Sequence, residues 1–379
     1  MSRIRAVRAA FPAYRYPQEI FTKTIIALGE ATGGLRPSQR KLLERLHANA
    51  EVVTRHTALP IDEYASIGHP VTAGVGAVRA NDRYIEEATD LGERALRTAL
   101  DEAGIAPGQL DLLIVTSVTG VAVPSLDARL IPRLGLRSDI KRLPIFGLGC
   151  VGGAAGLARL HDYLLAWPGH SAALLAVELC SLTWPRSEVA TADLVASALF
   201  GDGAAALVAS GEGATTLPGA ASGGPGAGAA TAGRLPRVVA TRSEVYPDSG
   251  DSLGWRLVAD GFRIVLTAEL AEVVEQRLAG SVTAFLADQG LTTDDISRWI
   301  CHPGGPKVLE AAQRTLKLPD EALATSRRSL SEAGNMSSAS VLHILDLTVN
   351  AEPPPEPGSF GLMIGLGPGV SAELLLLRW

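Results

Sequence analysis

Along residues 84–103, Ile85, Ala88, Gly92, Ala95, Leu96, Ala99 and Ala103 recur three or four positions apart, which predicts an amphipathic helix. Gly104 stands where a C-terminal cap would close it. A short loop with Pro107 follows, and then LDLLIVTSV, an unbroken apolar run rich in β-branched residues, as a buried parallel strand is. The same pattern is written a second time. Leu266, Leu270, Val273, Val274, Leu278, Val282 and Phe285 predict a helix over 264–289, Gly290 closes it, and ISRWICH is the strand that follows. The two strands enter at Leu110 and Ile296, at the same distance from their glycines. An earlier amphipathic helix is predicted over 38–51, with Leu42, Leu43 and Leu46 on one side.

Two shorter likenesses keep the same order. LGCVGGAAG (148–156) resembles AGNMSSAS (333–340): strand end, tight turn, then a helix of small residues. GDGAAALV (201–208) parallels GPGVSAELLLL (367–377). Together they predict an internal duplication of a strand–helix unit, with halves at 1–235 and 236–379. Residues 211–234 are Gly/Ala-rich and aperiodic, as a flexible surface insertion is. The loop AEPPPEPG (351–358) should join a helix to a final pair of strands, because its prolines cannot lie in a helix interior.

Composition narrows the possibilities. With 379 residues, 47% hydrophobic and 20% charged, the chain is too apolar to be disordered. A net charge of −6 argues against nucleic-acid binding, which needs a concentrated basic face. Three cysteines are too few, and odd in number, for a disulfide framework. The N-terminal stretch lacks the apolar core of a signal peptide, and no run is long enough for a membrane span, so a cytoplasmic protein is expected. No Cys, His or carboxylate pair has metal-ligand spacing, so no metal is expected.

Three residues carry candidate chemistry. Cys150 follows the apolar run LPIFGL and precedes a helix opening with Val151, Gly152 and Gly153, a nucleophile-elbow pattern. A helix N-terminus favours thiolate over thiol, although a buried structural cysteine has the same local look. His302 ends a strand and opens the turn Pro303–Gly304–Gly305–Pro306, at a cleft edge. As imidazolium it could pair with a Cys150 thiolate. Asn335, after Gly334, could donate to a developing enolate, or could simply cap the helix behind it. Of the other histidines, His343 reads as a packed mid-helix residue, and His47, His56, His69, His161 and His170 as surface or loop residues.

Cys150 in GCVGGAAG, His302 in CHPGGPKVLE, Asn335 in GNMSSAS and the C-terminal GLGPG together resemble the type III polyketide synthases, the chalcone-synthase-like enzymes, over nearly the whole chain. The resemblance implies an α/β thiolase-like five-layer αβαβα sandwich of two duplicated halves. It implies that Cys150 carries the growing acyl chain while His302 and Asn335 hold the thioester carbonyl of malonyl-CoA during decarboxylation. Phe200 and Phe262 match the aromatic gatekeepers. Val118, Cys180, Ser181, Thr183 and the loop Leu366, Gly367 and Pro368 match cavity-lining positions; plant members usually have Phe where Leu366 stands. Val123 matches the residue that reaches into the partner subunit, which implies a homodimer. Gly304, Gly305 and Lys307 lie where the family contacts CoA, and Arg55 is a candidate for its phosphates. No bound cofactor is implied, only CoA thioesters as substrates. SVTGVAVPSLDARLIPRLG and LPIFGLGC are similar to bacterial alkylpyrone and alkylresorcinol synthases, which implies a medium or long fatty acyl-CoA starter. A ketoacyl synthase of the fatty-acid initiation type, fed by acyl carrier protein, is the alternative.

Overall fold

The computed structural model describes residues 1–31, 35–64, 73–184, 189–214, 234–247, 253–258, 261–267 and 270–379. Strand β1 (Ser2–Ala10) begins the first half of a sheet. The hairpin β2 (Tyr14–Pro17) and β3 (Thr54–Thr57) brackets helices α1 (Gln18–Ala31) and α2 (Pro37–Ala48). Helix α3 (Ala73–Ala103) leads to β4 (Leu112–Thr116), α4 (Leu126–Leu134), β5 (Lys141–Ile145) and α5 (Gly152–Ala166). Strand β6 (Ser171–Leu179), α6 (Thr191–Leu199) and β7 (Asp202–Gly211) complete this half. The second half has β8 (Arg237–Val245), a hairpin of β9 (Leu253–Val258) and β10 (Gly261–Leu266), α7 (Leu270–Ala287), β11 (Ile296–Cys301) and α8 (Pro306–Thr315). It ends with α9 (Ala324–Ala333), α10 (Ser340–Val349), β12 (Phe360–Gly367) and β13 (Ser371–Arg378).

The sheet order is β11-β12-β13-β8-β1-β7-β6-β4-β5. Reading outward from its middle, β1-β7-β6-β4 and β8-β13-β12-β11 repeat the same pairings: antiparallel, antiparallel, parallel. The duplication seen in the sequence is therefore a duplication of topology. β1 and β8 join the halves through two residue pairs, Ser2↔Val238 and Arg3↔Arg237. The repeated helix ends agree in detail. Gly104 and Gly290 have φ of 64° and 70°, the left-handed conformation that suits glycine. Beyond them Ile105 N donates to Leu100 O at 3.1 Å and Leu291 N to Leu286 O at 2.9 Å.

Three cores set five layers. One lies outside the first half, between α3 and the strands β1, β4, β6 and β7. A second lies outside the other half, among α7, α8 and the strands β11 to β13. The third holds α5 and α10 between the two halves of the sheet. Strands β6 and β7 are buried at every position because helices cover both faces, which explains their unbroken Ala, Leu and Val content. Small residues let the central helices approach. A Cβ added to Gly153 would lie 2.1 Å from the Ser338 carbonyl oxygen.

The structure departs from the sequence expectations in several places. Residues 261–266 are a strand, and the second amphipathic helix begins at Leu270. Aromatic and β-branched residues on either side of Asp260–Gly261 carry a hairpin signature, which the helical period of the following residues masks. The strand before Cys150 is β5, a mostly exposed edge strand that ends at Ile145, midway through the apolar run LPIFGL (143–148) expected to form it. His47 and His161 are buried, not superficial. His47 bonds Thr22 Oγ1 at 2.8 Å and Ser197 Oγ at 3.1 Å, and His161 bonds Ser2 Oγ at 2.8 Å. His343 is packed as expected, against Ser329 Oγ at 3.0 Å. His69 and most of the Gly/Ala-rich stretch (215–233) lie outside the described residues.

Candidate active site

Cys150 sits in a single 3-10 turn, Gly149–Val151, that runs directly into α5. Gly149 has φ 52°, and a Cβ there would fall 2.6 Å from Pro368 Cγ, so the turn needs glycine twice over. The C-terminal GLGPG loop is its backing: a Cβ on Gly367 would lie 2.7 Å from Val151 N. Gly367 and Pro368 thus brace the cysteine's turn from behind. Cys150 is buried in one apolar cluster with Cys180, Phe200 and Ile264, flanked by Trp255 and Leu266.

Asn335 occupies the matching point of the second half. It follows Gly334, with φ 73°, and precedes the turn Ser337–Ala339 and α10. A parallel bridge ties it to Phe200: Asn335 N donates to Leu199 O at 2.8 Å, and Gly201 N donates to Asn335 O at 3.0 Å. Its side-chain Oδ1 accepts from Ser337 N at 2.8 Å, which fixes the amide and leaves Nδ2 as a donor. Asn335 is not the N-cap of α10, which is Ala339; its side chain instead braces the turn before that helix.

His302 leaves β11 with its main-chain N donating to Ile364 O at 2.9 Å. The continuation of that neighbouring strand, Gly365 to Gly367, packs on Val151. The three candidate residues therefore stand on adjoining segments. The His302 Nδ1 is sealed and has no partner, so Nε2 is the ring nitrogen open to reacting groups. Burial pushes the imidazole down to about 3 and the Cys150 thiol up to about 12. The nearby Ser337 hydroxyl works against that rise, while the Glu178 carboxylate adds to it. Burial thus works against the imidazolium–thiolate pair that the sequence suggests.

Glu178 escaped the sequence reading, although a carboxylate inside the apolar run SAALLAVEL is itself a signal. It is fully buried and accepts from Ser117 Oγ at 3.3 Å, Val118 N at 3.0 Å, Thr119 Oγ1 at 2.9 Å and Ser338 Oγ at 2.5 Å. It thereby ties β6 to the loop after β4 and to the start of α10. Trp255 and Ile264 were missed with the hairpin that carries them. Phe262 lies two residues before Ile264, on the same face of β10, edge-on to Trp255 at 6.4 Å.

Other expected positions divide. Cys180 and Val118 are buried beside the site, and Thr183 Oγ1 bonds Cys180 O at 2.7 Å. Ser181 is not a free cavity side chain, because its hydroxyl is held between Tyr64 OH and Asp202. Leu366 packs into the core beneath α7 and α8, since it shares a strand face with Leu362 and Ile364. Gly304 and Gly305 form the turn before α8, and Lys307 is exposed in that helix's first turn. Val123 is 89% exposed. Arg55 is a correction: it is fully buried, and its guanidinium is spent on internal carbonyl oxygens, so it is not available to CoA phosphates. Among the described residues no three His, Cys, Asp or Glu side chains gather as metal ligands, and no helix is long and apolar enough to cross a membrane.

Two family models match almost end to end: chalcone and stilbene synthases, N-terminal domain, over residues 2–213, and the C-terminal domain over 237–379. The chain is 50% identical to a 1,3,6,8-tetrahydroxynaphthalene synthase of Streptomyces peucetius subsp. caesius, over 99% of this chain and 93% of that one. It is 28% identical to an alpha-pyrone synthesis polyketide synthase-like protein of Mycobacterium tuberculosis, over 90% and 83% of the two chains. The crystal structure of 1,3,6,8-tetrahydroxynaphthalene synthase from Streptomyces coelicolor A3(2), a bacterial type III polyketide synthase, superposes with a TM-score of 0.86 at 30% identity, covering 100% of this chain and 99% of that one.

Proposed function

Because this chain belongs to the chalcone and stilbene synthase family and is a type III polyketide synthase, an acyltransferase working on CoA thioesters, we propose that Cys150, His302 and Asn335 are its catalytic groups. The observation that carries this reading is the convergence of their three segments: the 149–151 turn backed by Gly367 and Pro368, Asn335 bridged to Phe200, and His302 held at Ile364.

The chemistry runs as follows. The Cys150 sulfur attacks the thioester carbonyl of a starter; its C–S bond forms as the bond to CoA breaks. The thiol proton passes to His302 Nε2 and stays there while CoA leaves as its thiolate, to be protonated in solvent. Concerted transfer from thiol to ring needs no resting thiolate, in keeping with the direction in which burial pushes both groups. Malonyl-CoA then loses CO2, and the electron pair of the broken C–C bond becomes an enolate. Asn335 Nδ2 and the Nε2–H that His302 now carries donate to the enolate oxygen. The enolate carbon attacks the Cys150 thioester, a C–C bond forms, the sulfur is freed, and the chain, now on CoA, can return to Cys150. Phe200, in contact with the Cys150 cluster, and Phe262 screen this exchange from water. Lys307, exposed beside the Gly304–Gly305 turn, is the cation that meets the phosphates of CoA.

For the product, the 50% identity to a tetrahydroxynaphthalene synthase favours a small polyhydroxylated aromatic built from malonyl-CoA alone. Hydroxyls at alternate ring positions are what two-carbon units joined head to tail leave, and such a skeleton has no alkyl tail. A fatty acyl starter and an alkylpyrone or alkylresorcinol are the second reading, favoured by the alpha-pyrone relative and by the apolar neighbours Val118 and Cys180. The enzyme acts as a homodimer through the apolar margin formed by Val121, Val123, Leu143 and Phe146. The test is mass-spectrometric analysis of products from the purified enzyme with malonyl-CoA alone and with a panel of acyl-CoA starters. An aromatic product from malonyl-CoA alone supports the first reading. Turnover only with long-chain acyl-CoA replaces it by the second. A single extension that requires acyl carrier protein would overturn both in favour of a ketoacyl synthase.

A further inference from the structure

The last turn of α6 ends at the proposed gatekeeper Phe200, and a helix terminus leaves carbonyl oxygens without helical partners. Here they are met from inside the protein. Arg55, on β3, is fully buried; its Nη1 donates to Ser197 O and Phe200 O, both at 2.7 Å, and its Nη2 donates to Ala198 O at 2.6 Å and to Gln18 Oε1. Gln18 Nε2 adds a bond to the same Ala198 O at 3.0 Å. The guanidinium lies over the Phe21 ring, 4.1 Å from its centroid. A cation at a helix C-terminus also meets the favourable end of the helix dipole.

The one carbonyl of this stretch that Arg55 does not take, Leu199 O, accepts from Asn335 N. The two segments have no slack between them. A Cβ on Gly201 would lie 2.2 Å from Ala333 O, and one on Gly334 would lie 2.8 Å from Leu199 O. A shift of residues 197–201 is therefore handed to Asn335 through main-chain bonds and direct contact. We propose that Arg55 is a positioning residue for catalysis: it fixes the main chain of Phe200 and, through the Phe200–Asn335 bridge, the amide that holds the enolate. This inference rests on the roles proposed above for Asn335 and Phe200.

The experiment compares the wild type with Arg55→Lys and with Gln18→Met, a milder change at a half-buried site. Malonyl-CoA decarboxylation is measured beside alkylation of Cys150 by iodoacetamide, and thermal melting reports the fold. Arg55→Lys should lower kcat for decarboxylation by at least about tenfold, with KM changed less than about threefold and the alkylation rate of Cys150 preserved. Gln18→Met should move kcat the same way by a smaller factor. Malonyl-pantetheine, which lacks the nucleotide phosphates, should show the same fractional loss. A rise in KM confined to malonyl-CoA and absent with malonyl-pantetheine would overturn the proposal by restoring Arg55 as a phosphate contact. Wild-type kcat in a folded Arg55→Lys protein would overturn it too, as would a parallel fall of decarboxylation, alkylation and melting temperature. Failure of the wild type itself to decarboxylate malonyl-CoA would instead remove the catalytic reading beneath it.

Discussion

Cys150 and Asn335 stand at equivalent points of the two halves: each follows a glycine with positive φ, Gly149 or Gly334, and each leads into a central helix, α5 or α10. One position supplies a nucleophile and its counterpart a neutral donor. The two should fail differently. Cys150→Ala should abolish both the acyl-enzyme seen by mass spectrometry and all extension. Asn335→Ala should leave the acyl-enzyme in place and slow malonyl-CoA decarboxylation on the order of a hundredfold or more, the usual cost of one lost oxyanion donor. Equal loss of loading and decarboxylation in the Asn335 variant would contradict its assignment.

Stability should fall on mild acidification. Burial holds His302 and His47 down at about 3 and His343 at about 4, all below the ordinary value near 6.5. Between those values and 6.5 the unfolded chain binds protons that the folded chain refuses. Stability is then complete above about pH 6.5 and drains away as pH falls toward 3, by about 1.4 kcal/mol per pH unit for each such histidine. Urea titrations at pH 7.5, 6 and 5 should show this slope, and His302→Gln should make it shallower. A slope unchanged by that substitution would show that His302 titrates normally in the folded protein.

Gly153 is the tightest point between the central helices. Gly153→Ala puts a methyl group 2.1 Å from the Ser338 carbonyl oxygen, which is main chain and cannot swing aside. The helices must part, at an expected cost of about 1–3 kcal/mol in urea unfolding. Because Ser338 also donates to Glu178, decarboxylation should fall in the same variant. By contrast a Cβ at Gly280 meets nothing within 4 Å, so Gly280→Ala should be neutral or stabilising there.

The margin of the sheet predicts association. β5 is the outermost strand on its side; Leu143 on it, Phe146 just after it, and Val121 and Val123 on the loop between β4 and α4 are all exposed. Sedimentation velocity should show a dimer at micromolar concentration, and Val123→Asp should shift it toward monomer without changing the circular dichroism spectrum. A wild type that sediments as a monomer would remove this surface from consideration.

Much of this fold is legible from pattern alone, because the helix–glycine–strand sentence occurs twice and each copy buries one face. The repeat around Cys150 and Asn335 is legible for the same reason: glycine and tiny residues are what a close helix crossing demands. The hairpin over the site was not legible, since Leu266 and Leu270 continue the period of α7 and draw its predicted start back into β10. The family resemblance places Arg55 at the CoA phosphates, and nothing in its local sequence marks it as buried. Only the topology shows that β3 delivers it beneath the end of α6, where four acceptors await it. The buried state of His47 and His161 is equally invisible, for their partners Ser197 and Ser2 are distant in the chain.

Phe146 and Leu148, both open to solvent, share one short stretch of chain with the buried sulfur of Cys150. An exposed apolar stretch thus runs within two residues into a buried turn. A second copy seated there would roof over the approach to Gly149, and dilution would strip that roof away. If the proposed dimer seats on this margin, its contact ends two residues from Cys150, and association and access to the sulfur become linked.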